Sequence, residues 1–281
     1  MRTFEYARPA TLEELLVLLH QHGPQAKLLA GGTDLIVKLR AGQDPPRVVI
    51  DLKRIEALNP GIVERGSCLR VGARTVMTGL IEDPCIRSQF PALVDAARVV
   101  GSVQIRNRAT LAGNICNASP AADTAPALLV YGASANLIGW NGRRAVPLTN
   151  FFLGPGRTVL NPGEIVESID LPFASEPCGV AFGRTARRRG VDLAIVSLCC
   201  LVKASGEVSI ACGAVGPRPF LVRGNREKIV DEVLAQACPV SDIRGGRYYR
   251  LAMLAVLARR CLALAGTQLQ SVLTGASTPC N

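Results

Sequence analysis

Apolar residues near the start of the chain recur at helical spacing. Leu12, Leu15 and Leu19 would share one face of a helix. Thr11 and Glu14 stand just before and within the first turn as a capping box, in which each side chain bonds a backbone amide that the helix leaves free. The pattern therefore predicts an N-terminal helix that packs its leucine face on a core.

A strand, a glycine turn and a second helix are predicted next. Residues 28–30 form a short apolar run, and Gly31 and Gly32 permit positive φ in a tight turn. Thr33 suits the N-cap of a helix whose apolar positions recur over residues 35–39. Free backbone amides at such a turn can bind an anion. The double glycine alone is a weak signal, because it is neither the dinucleotide fingerprint nor a P-loop.

Alternating apolar and polar positions then predict antiparallel strands around a helical region. One hairpin is expected over residues 62–71, followed by helices from residue 78 and over residues 91–99. A second hairpin is expected over residues 135–148, with a type I′ turn at Asn141-Gly142. Beyond a junction at residues 172–178, the pattern predicts three strands and two helices over residues 180–184, 193–202, 208–215, 227–237 and 247–265.

A polar, glycine-bearing stretch over residues 106–123 interrupts the apolar pattern. Ala112 and Gly113 are small enough to let the backbone approach a bulky group. A loop longer than roughly 12 residues is commonly functional or disordered. Asp123, the only carboxylate of the stretch, could bind a ligand or cap the helix expected over residues 124–131, and both roles can coexist.

Composition removes several classes of function. The chain has 281 residues and a net charge of +10, but only 4% aromatic residues, which opposes a base-stacking nucleic-acid surface. Two histidines, His20 and His22, leave little for a hydrolase triad or a histidine metal cluster. The ten cysteines contain no Cys-x-x-Cys, so we expect buried thiols rather than a metal site, with Cys199 and Cys200 on opposite faces of a strand. We expect no signal peptide and no membrane span, and a cytoplasmic protein.

Four motifs together carry a resemblance. Leu29-Ala-Gly-Gly-Thr-Asp34, Gln104-Ile-Arg-Asn-Arg108, Thr110-Leu-Ala-Gly-Asn114 and Ser119-Pro-Ala-Ala-Asp123 resemble the FAD-binding subunit of molybdenum hydroxylases. The separate FAD-binding subunit of bacterial xanthine dehydrogenases looks most similar, and the medium subunit of carbon monoxide dehydrogenases is also similar. The resemblance implies an α+β chain with the two-subdomain FAD-binding fold of the vanillyl-alcohol-oxidase/PCMH type. That domain would span residues 1–174, with subdomains of about 1–57 and 58–174. A small C-terminal domain, residues 175–281, would pack a three-stranded antiparallel sheet with helices.

The same resemblance implies which residues bind FAD. Residues 28–35 match the loop that wraps the pyrophosphate, and residues 110–114 match a second FAD loop, with Ala112 where many relatives carry glycine. Arg184 falls where relatives often have a lysine near the isoalloxazine, although Arg184 to Arg189 could also be a solvated basic strand end. The cofactor-binding residues implied are Leu28, Leu29, Ala30, Gly31, Gly32, Thr33, Asp34, Leu35, Val100, Thr110, Leu111, Ala112, Gly113, Asn114, Asp123, Val166 and Arg184.

The resemblance finally implies a division of labour. A large subunit with the molybdenum cofactor would oxidise the substrate, and a small subunit with two [2Fe-2S] clusters would relay electrons to FAD on this chain. The chain would pass them to NAD+ or another acceptor, within a dimer of heterotrimers, and would hold no catalytic acid–base residue and no metal. Xanthine is the leading substrate, while nicotinate, carbon monoxide, aldehydes and aromatic CoA thioesters stay open. The alternatives are a stand-alone flavin-dependent oxidoreductase of the same fold and, opposed by the scarce aromatics, a nucleic-acid-binding protein.

Overall fold

A computed structural model describes residues 3–58, 61–188 and 190–275. The first part of the chain forms a three-stranded parallel sheet with strand order β1-β3-β2, flanked by two helices. Its elements are β1 (Glu5–Ala7), α1 (Leu12–His22), β2 (Ala26–Leu29), α2 (Leu35–Arg40) and β3 (Val48–Asp51). The predicted strand, glycine turn and helix are therefore present.

The capping chemistry of α1 follows the sequence closely. The Thr11 hydroxyl accepts a hydrogen bond from the Glu14 amide at 3.2 Å, and Leu12, Leu15 and Leu19 are buried. The Glu14 carboxylate accepts from the amide of Ala10 at 2.7 Å, one residue before the cap. The predicted helix and its buried face are confirmed.

A five-stranded antiparallel sheet with order β4-β5-β10-β6-β7 forms the centre of the molecule. Six helices lie between its second and third strands in sequence. The elements are β4 (Ile62–Arg65), β5 (Cys68–Gly72), α3 (Met77–Glu82), α4 (Pro84–Gln89), α5 (Pro91–Arg98), α6 (Val103–Arg106), α7 (Leu111–Cys116), α8 (Thr124–Val130), β6 (Ser134–Gly139), β7 (Gly142–Pro147), β8 (Phe152–Gly154), β9 (Arg157–Thr158) and β10 (Ile165–Pro172).

The hairpin of β6 and β7 forms where predicted, but its turn differs. Gly139 pairs with Gly142, so Trp140 and Asn141 are the central residues. A type I′ turn needs positive φ at both central residues. Of Trp140, Asn141 and Gly142, only Gly142 has positive φ, at 103°. The expected type I′ turn on Asn141-Gly142 is therefore wrong, because the register places the glycine one residue beyond the centre.

The C-terminal part is a four-stranded antiparallel sheet with order β11-β12-β13-β14, covered by two helices. The elements are β11 (Cys178–Thr185), β12 (Val196–Lys203), β13 (Val208–Gly213), β14 (Phe220–Gly224), α9 (Ile229–Gln236) and α10 (Arg247–Thr274). The α+β class is confirmed, but the prediction of three strands is wrong. The additional strand, β14, is a short and only partly buried edge strand just after Pro219, so its apolar signal is weak. The division at residues 174 and 175 stays a prediction.

Strand β12 serves two hydrophobic cores. Cys199 packs in the core of the first 174 residues, whereas Cys200 packs with Cys212 and Cys261 between the C-terminal sheet and its helices. The two adjacent thiols therefore face opposite sides, as predicted from strand geometry. No cluster of histidine, cysteine or carboxylate side chains within residues 3–58, 61–188 and 190–275 could hold a metal ion. Cys280 lies outside these residues.

Helix α10 is longer than the predicted residues 247–265 and is the one described helix whose length and apolar composition would allow a membrane crossing. Core helices can meet the same criterion. Leu254, Ala258 and Leu262 are buried in the core that α10 shares with the C-terminal sheet. The buried face therefore belongs to the packing of this domain.

Candidate cofactor site

A cavity of about 710 Å³ lies where the turn after β2, the segment between α5 and α8, the start of β10 and a loop after β11 meet. Its volume falls within the roughly 300–1,000 Å³ of small-molecule and cofactor sites. Fourteen of the seventeen residues predicted to bind FAD line it: Leu28, Ala30, Gly31, Gly32, Thr33, Asp34, Leu35, Val100, Thr110, Ala112, Gly113, Asn114, Asp123 and Val166. Leu29, Leu111 and Arg184 do not line it.

The glycine turn is shaped by the neighbouring segment as well as by its own backbone. Gly32 has a φ of 78°, as expected, but Gly31 does not have positive φ. A Cβ on Gly31 would overlap the carbonyl oxygen of Arg108 and lie 2.7 Å from its carbonyl carbon. Gly31 is therefore required for close approach between the two segments rather than for a left-handed conformation.

The start of α2 also differs from the expectation. Asp34, not Thr33, occupies the N-cap position, and its side chain makes no capping hydrogen bond. The carbonyl of Gly32 already accepts a helical hydrogen bond from the amide of Ile36 at 3.0 Å. The helical hydrogen bonds therefore already begin at Gly32, and Thr33 does not act as the N-cap.

The stretch over residues 106–123 is not one long loop, because α7 forms inside it. Thr110 caps α7, with its hydroxyl accepting from the amide of Gly113 at 3.0 Å. The amide of Leu111 donates to the carbonyl of Thr75 at 3.1 Å, which fixes the position of the helix. Ala112 has a helical conformation, which alanine adopts more readily than glycine, so the departure from relatives suits this backbone.

Polar side chains join the two segments across the cavity. The ammonium of Lys38 donates to Asn117 Oδ1 at 2.8 Å, and Asn117 Nδ2 donates to Asp34 Oδ1 at 3.3 Å. With the contact between Gly31 and Arg108, these bonds bring the two bends together. Residues about 80 positions apart in sequence thereby form one wall.

Asp123 lines the cavity and is buried, but it does not cap α8 through its side chain. Its Oδ1 instead accepts from Nε of Arg184 at 3.0 Å. Burial raises the pKa of Asp123 to about 6, and the guanidinium of Arg184 opposes that rise. Asp123 thus occupies the predicted N-cap position of α8 but makes no capping hydrogen bond, because its carboxylate turns toward a cation on the neighbouring strand.

Arg184 lies behind Asp123 rather than on the cavity wall. Its side chain is 11% exposed and also donates to the carbonyl oxygen of Asp192. The solvated strand-end alternative is therefore wrong for Arg184. Arg187 and Arg188 are exposed, as that alternative expected, while Arg189 lies outside the described residues.

Sequence reasoning missed the loop that closes the cavity from the C-terminal side. Arg188, Val191, Asp192 and Leu193 line the cavity from this loop. Arg187 forms two hydrogen bonds with the carboxylate of Asp192, both at 3.1 Å, and Arg188 donates to the carbonyl of Val191. The only local signal was an arginine-rich run after a strand, which more commonly marks a solvated surface.

The cavity fits FAD. Gly32, Ala112 and Gly113 line the wall with little side-chain bulk, so a flat or bulky group can approach the backbone there. Thr110, Asn114 and Asp123 supply polar groups for hydroxyls, while other parts of the wall are apolar. No histidine is among the described residues of the wall.

Comparison with known proteins agrees with this chemistry. The family described as the FAD binding domain in molybdopterin dehydrogenase matches residues 2–174. The chain is 34% identical to the carbon monoxide dehydrogenase medium chain of Hydrogenophaga pseudoflava, covering 92% of this chain and 96% of that one. It is 32% identical to the xanthine dehydrogenase FAD-binding subunit of Escherichia coli O157:H7, covering 94% and 98%.

Similarity extends to solved structures. A chain of the reconstituted CO dehydrogenase from Oligotropha carboxidovorans superposes with a TM-score of 0.89 at 27% identity, covering 95% of this chain and 99% of that one. The similarity thus includes the C-terminal domain as well as the family match over residues 2–174. The chain belongs to the family of FAD-binding domains in molybdopterin dehydrogenases, and FAD is its cofactor.

Proposed function

We propose that this chain is the FAD-carrying electron-transfer subunit of a heteromeric, xanthine dehydrogenase-like molybdenum hydroxylase. The observation that carries the proposal is the cavity of cofactor size, which is formed by two segments separated in sequence and by the loop after β11. The full-length similarity to medium and FAD-binding subunits supports a role within a complex.

Each part of the cavity has a proposed role. The backbone over residues 30–35 holds the pyrophosphate of FAD, because a turn of small residues brings amides close to an anion without a side chain in the way. Thr110, Ala112, Gly113 and Asn114, with Val100 and Val166, contact the isoalloxazine, and Asp123 accepts hydrogen bonds from FAD hydroxyls. Bound FAD supplies the two-electron redox chemistry; the residues of the chain bind it, orient it and limit the access of water.

The partners follow from this role. A large subunit carries the molybdenum cofactor and the substrate pocket, and a small subunit carries two [2Fe-2S] clusters that deliver electrons to this chain. NAD+ or another acceptor then receives them, and the assembly is a dimer of heterotrimers in the cytoplasm. Xanthine is the leading substrate, and neither a nucleic acid nor a membrane takes part.

A tagged copy of the chain, purified from its native cells, tests the proposal. We expect it to bring down two other chains in a fixed ratio, together with molybdenum, iron and FAD. The purified assembly should reduce NAD+ or a dye with xanthine, whereas nicotinate, carbon monoxide, aldehydes and aromatic CoA thioesters serve as comparison substrates. A chain that purifies alone, binds FAD and oxidises a substrate unaided would instead support the stand-alone flavoprotein.

The same assay tests the subunit role and the choice of substrate independently. Turnover of another substrate by a molybdenum- and iron-containing assembly would keep the subunit role and remove xanthine. A colourless chain that takes up no FAD would contradict both. Gly31→Ala, in which a Cβ would overlap the carbonyl of Arg108, should weaken FAD binding, and Gly154→Ala is its matched control, because Gly154 lies outside the cavity wall, has no positive φ and has open space where a Cβ would stand.

A further inference from the structure

Arg184 joins the FAD-binding domain to the loop that closes the cavity. Its Nε lies 3.0 Å from Oδ1 of Asp123, and its Nη2 donates to the carbonyl oxygen of Asp192. The side chains of Arg184 and Asp123 are 11% and 9% exposed. One buried guanidinium therefore holds both a carboxylate of the first domain and a backbone oxygen of the second.

The two partners of this ion pair face different surroundings. Asp123 lines the cavity, whereas Arg184 lies outside the wall. An ionised carboxylate only accepts hydrogen bonds, so it suits hydroxyl groups of a ligand. A bound cofactor would thus contact the anion of the pair, with the cation placed behind it.

We infer that Arg184 is a positioning residue that acts through Asp123, keeping its carboxylate ionised and aimed into the cavity as an acceptor for FAD hydroxyls. Arg184 does not itself contact the isoalloxazine. The inference rests on the proposed function, in which Asp123 faces bound FAD.

Among the described residues, Arg184 is the one charged group that shifts the pKa of Asp123. Burial raises the pKa of Asp123 to about 6, and Arg184 lowers it through both its charge and its hydrogen bond. On one side, α7 contributes the neutral amide of Asn114, which accepts from Thr124 at 2.6 Å. On another, the end of β13 meets this segment through the backbone bond from Ala214 to Pro120.

Other charged groups lie elsewhere on the cavity wall. They belong to strand β2, the turn after it, helix α2, the segment that follows α2 and the loop after β11, and they are Lys27, Asp34, Lys38, Asp44, Arg188 and Asp192. None of them contributes to the pKa shift of Asp123. Loss of the Arg184 cation should therefore raise the pKa of Asp123.

The test measures FAD affinity of the chain between about pH 5 and pH 9.5, a range that covers the pKa of Asp123 and the upward shift expected on loss of Arg184. In the natural chain, affinity should fall as the pH drops through about 6, because protonation removes the acceptor. In Arg184→Met the pH of half-loss should move upward by about 1–3 units, since a close opposite charge depresses a carboxyl pKa by that amount. Asp123→Asn should bind FAD about tenfold more weakly and without this pH dependence.

Two further variants sharpen the result. Arg184→Lys keeps a cation but lacks the planar fork that reaches both Asp123 and Asp192, so its pH of half-loss should lie between those of the natural chain and Arg184→Met. If Arg184→Met does not fold, Arg184→Lys tests the inference in its place. Arg187→Met is the matched control, because Arg187 bonds Asp192 and makes no hydrogen bond to Asp123. It should leave the pH of half-loss unchanged.

Several outcomes would overturn the inference. They are a natural chain whose FAD affinity is constant over this range, Arg184 variants with an unshifted pH of half-loss, or an equal shift in Arg187→Met. These outcomes all require that the natural chain binds FAD, so they differ from failure of the proposed function, in which no FAD would bind.

Discussion

The carbonyl group of Arg108 lies so close to Gly31 that a Cβ at residue 31 would overlap it. The two residues belong to separate segments that together form the cavity wall. The neighbour is backbone rather than the end of a flexible side chain, so a larger residue could be accommodated only by moving a segment. This contact sets the spacing between the two FAD-binding bends.

Gly31→Ala should therefore weaken FAD binding by tenfold or more and destabilise the chain by about 1–3 kcal/mol, the usual cost of overpacking. Fluorescence titration with FAD and chemical denaturation measure the two effects. Gly154→Ala should change neither quantity appreciably. Unchanged affinity in Gly31→Ala would mean that the two segments can separate without affecting the cofactor.

The bridge formed by Asn117 should matter for the cofactor more than for stability. Asn117 accepts from Lys38 and donates to Asp34, and these contacts are exposed. Asn117→Ala should lower FAD affinity by about three- to tenfold, a loss equivalent to about one hydrogen bond, while the unfolding free energy changes by less than about 1 kcal/mol. The exposed hairpin residue Asn141 offers a control, because Asn141→Ala should alter neither value.

The ionisation of Asp123 should make the cofactor-free chain less stable at higher pH. Its folded pKa is raised from 3.8 to about 6, so its contribution to stability is full below pH 3.8 and is lost as the pH rises through about 6. The contribution lost is about 3 kcal/mol at most. Denaturant unfolding at pH 4.5 and pH 7.5 should show that the natural chain loses stability relative to Asp123→Asn at the higher pH. A parallel response of the two proteins would contradict the raised pKa.

Arg250 should be a structural anchor of the C-terminal domain. Its side chain is almost fully buried, and it donates to the carbonyls of Ile195 and Ala214 at 2.7 and 2.9 Å and to Asp242 at 2.7 Å. Arg250→Met would leave three carbonyls, including that of Gly245, and part of a carboxylate without this partner, which should cost about 3 kcal/mol. Thermal and denaturant unfolding measure that loss. Arg247→Met removes an exposed arginine from the same helix and should change stability by less than about 0.5 kcal/mol.

The same contacts predict a response to acid. Hydrogen bonds from Arg244, with a further contribution from Arg250, hold the pKa of Asp242 well below its ordinary value. A depressed carboxyl pKa contributes stability above the unfolded value of 3.8, and that stability is lost as the pH falls toward the folded pKa. Arg250→Met should therefore lose less stability than the natural chain between about pH 5 and pH 3. Equal losses in the two proteins would exclude this role for the pair.

The sequence was informative wherever a local pattern was sufficient. The leucine spacing after Thr11 predicted α1 and its cap. Strand geometry alone predicted that Cys199 and Cys200 face opposite sides of the sheet, where each is buried in a different core. Residues 28–35 and 110–114 identified the two FAD segments as a resemblance, and most of these residues line one cavity. The cap of α1 and the opposite facing of the two thiols depend on side-chain period and capping chemistry within a few residues, whereas the FAD segments were implied by the resemblance of their motifs.

Tertiary structure decided the parts that depend on partners distant in sequence. The sequence left Asp123 free to bind a ligand, to cap α8 or to do both, and only the structure places Arg184, 61 residues later, against its carboxylate. The loop containing Asp192 became part of the cavity only because the C-terminal sheet packs against α8. Whether a carboxylate caps a helix or forms an ion pair depends on which partner is near and how deeply both are buried, and that proximity exists only once the C-terminal sheet has packed against α8.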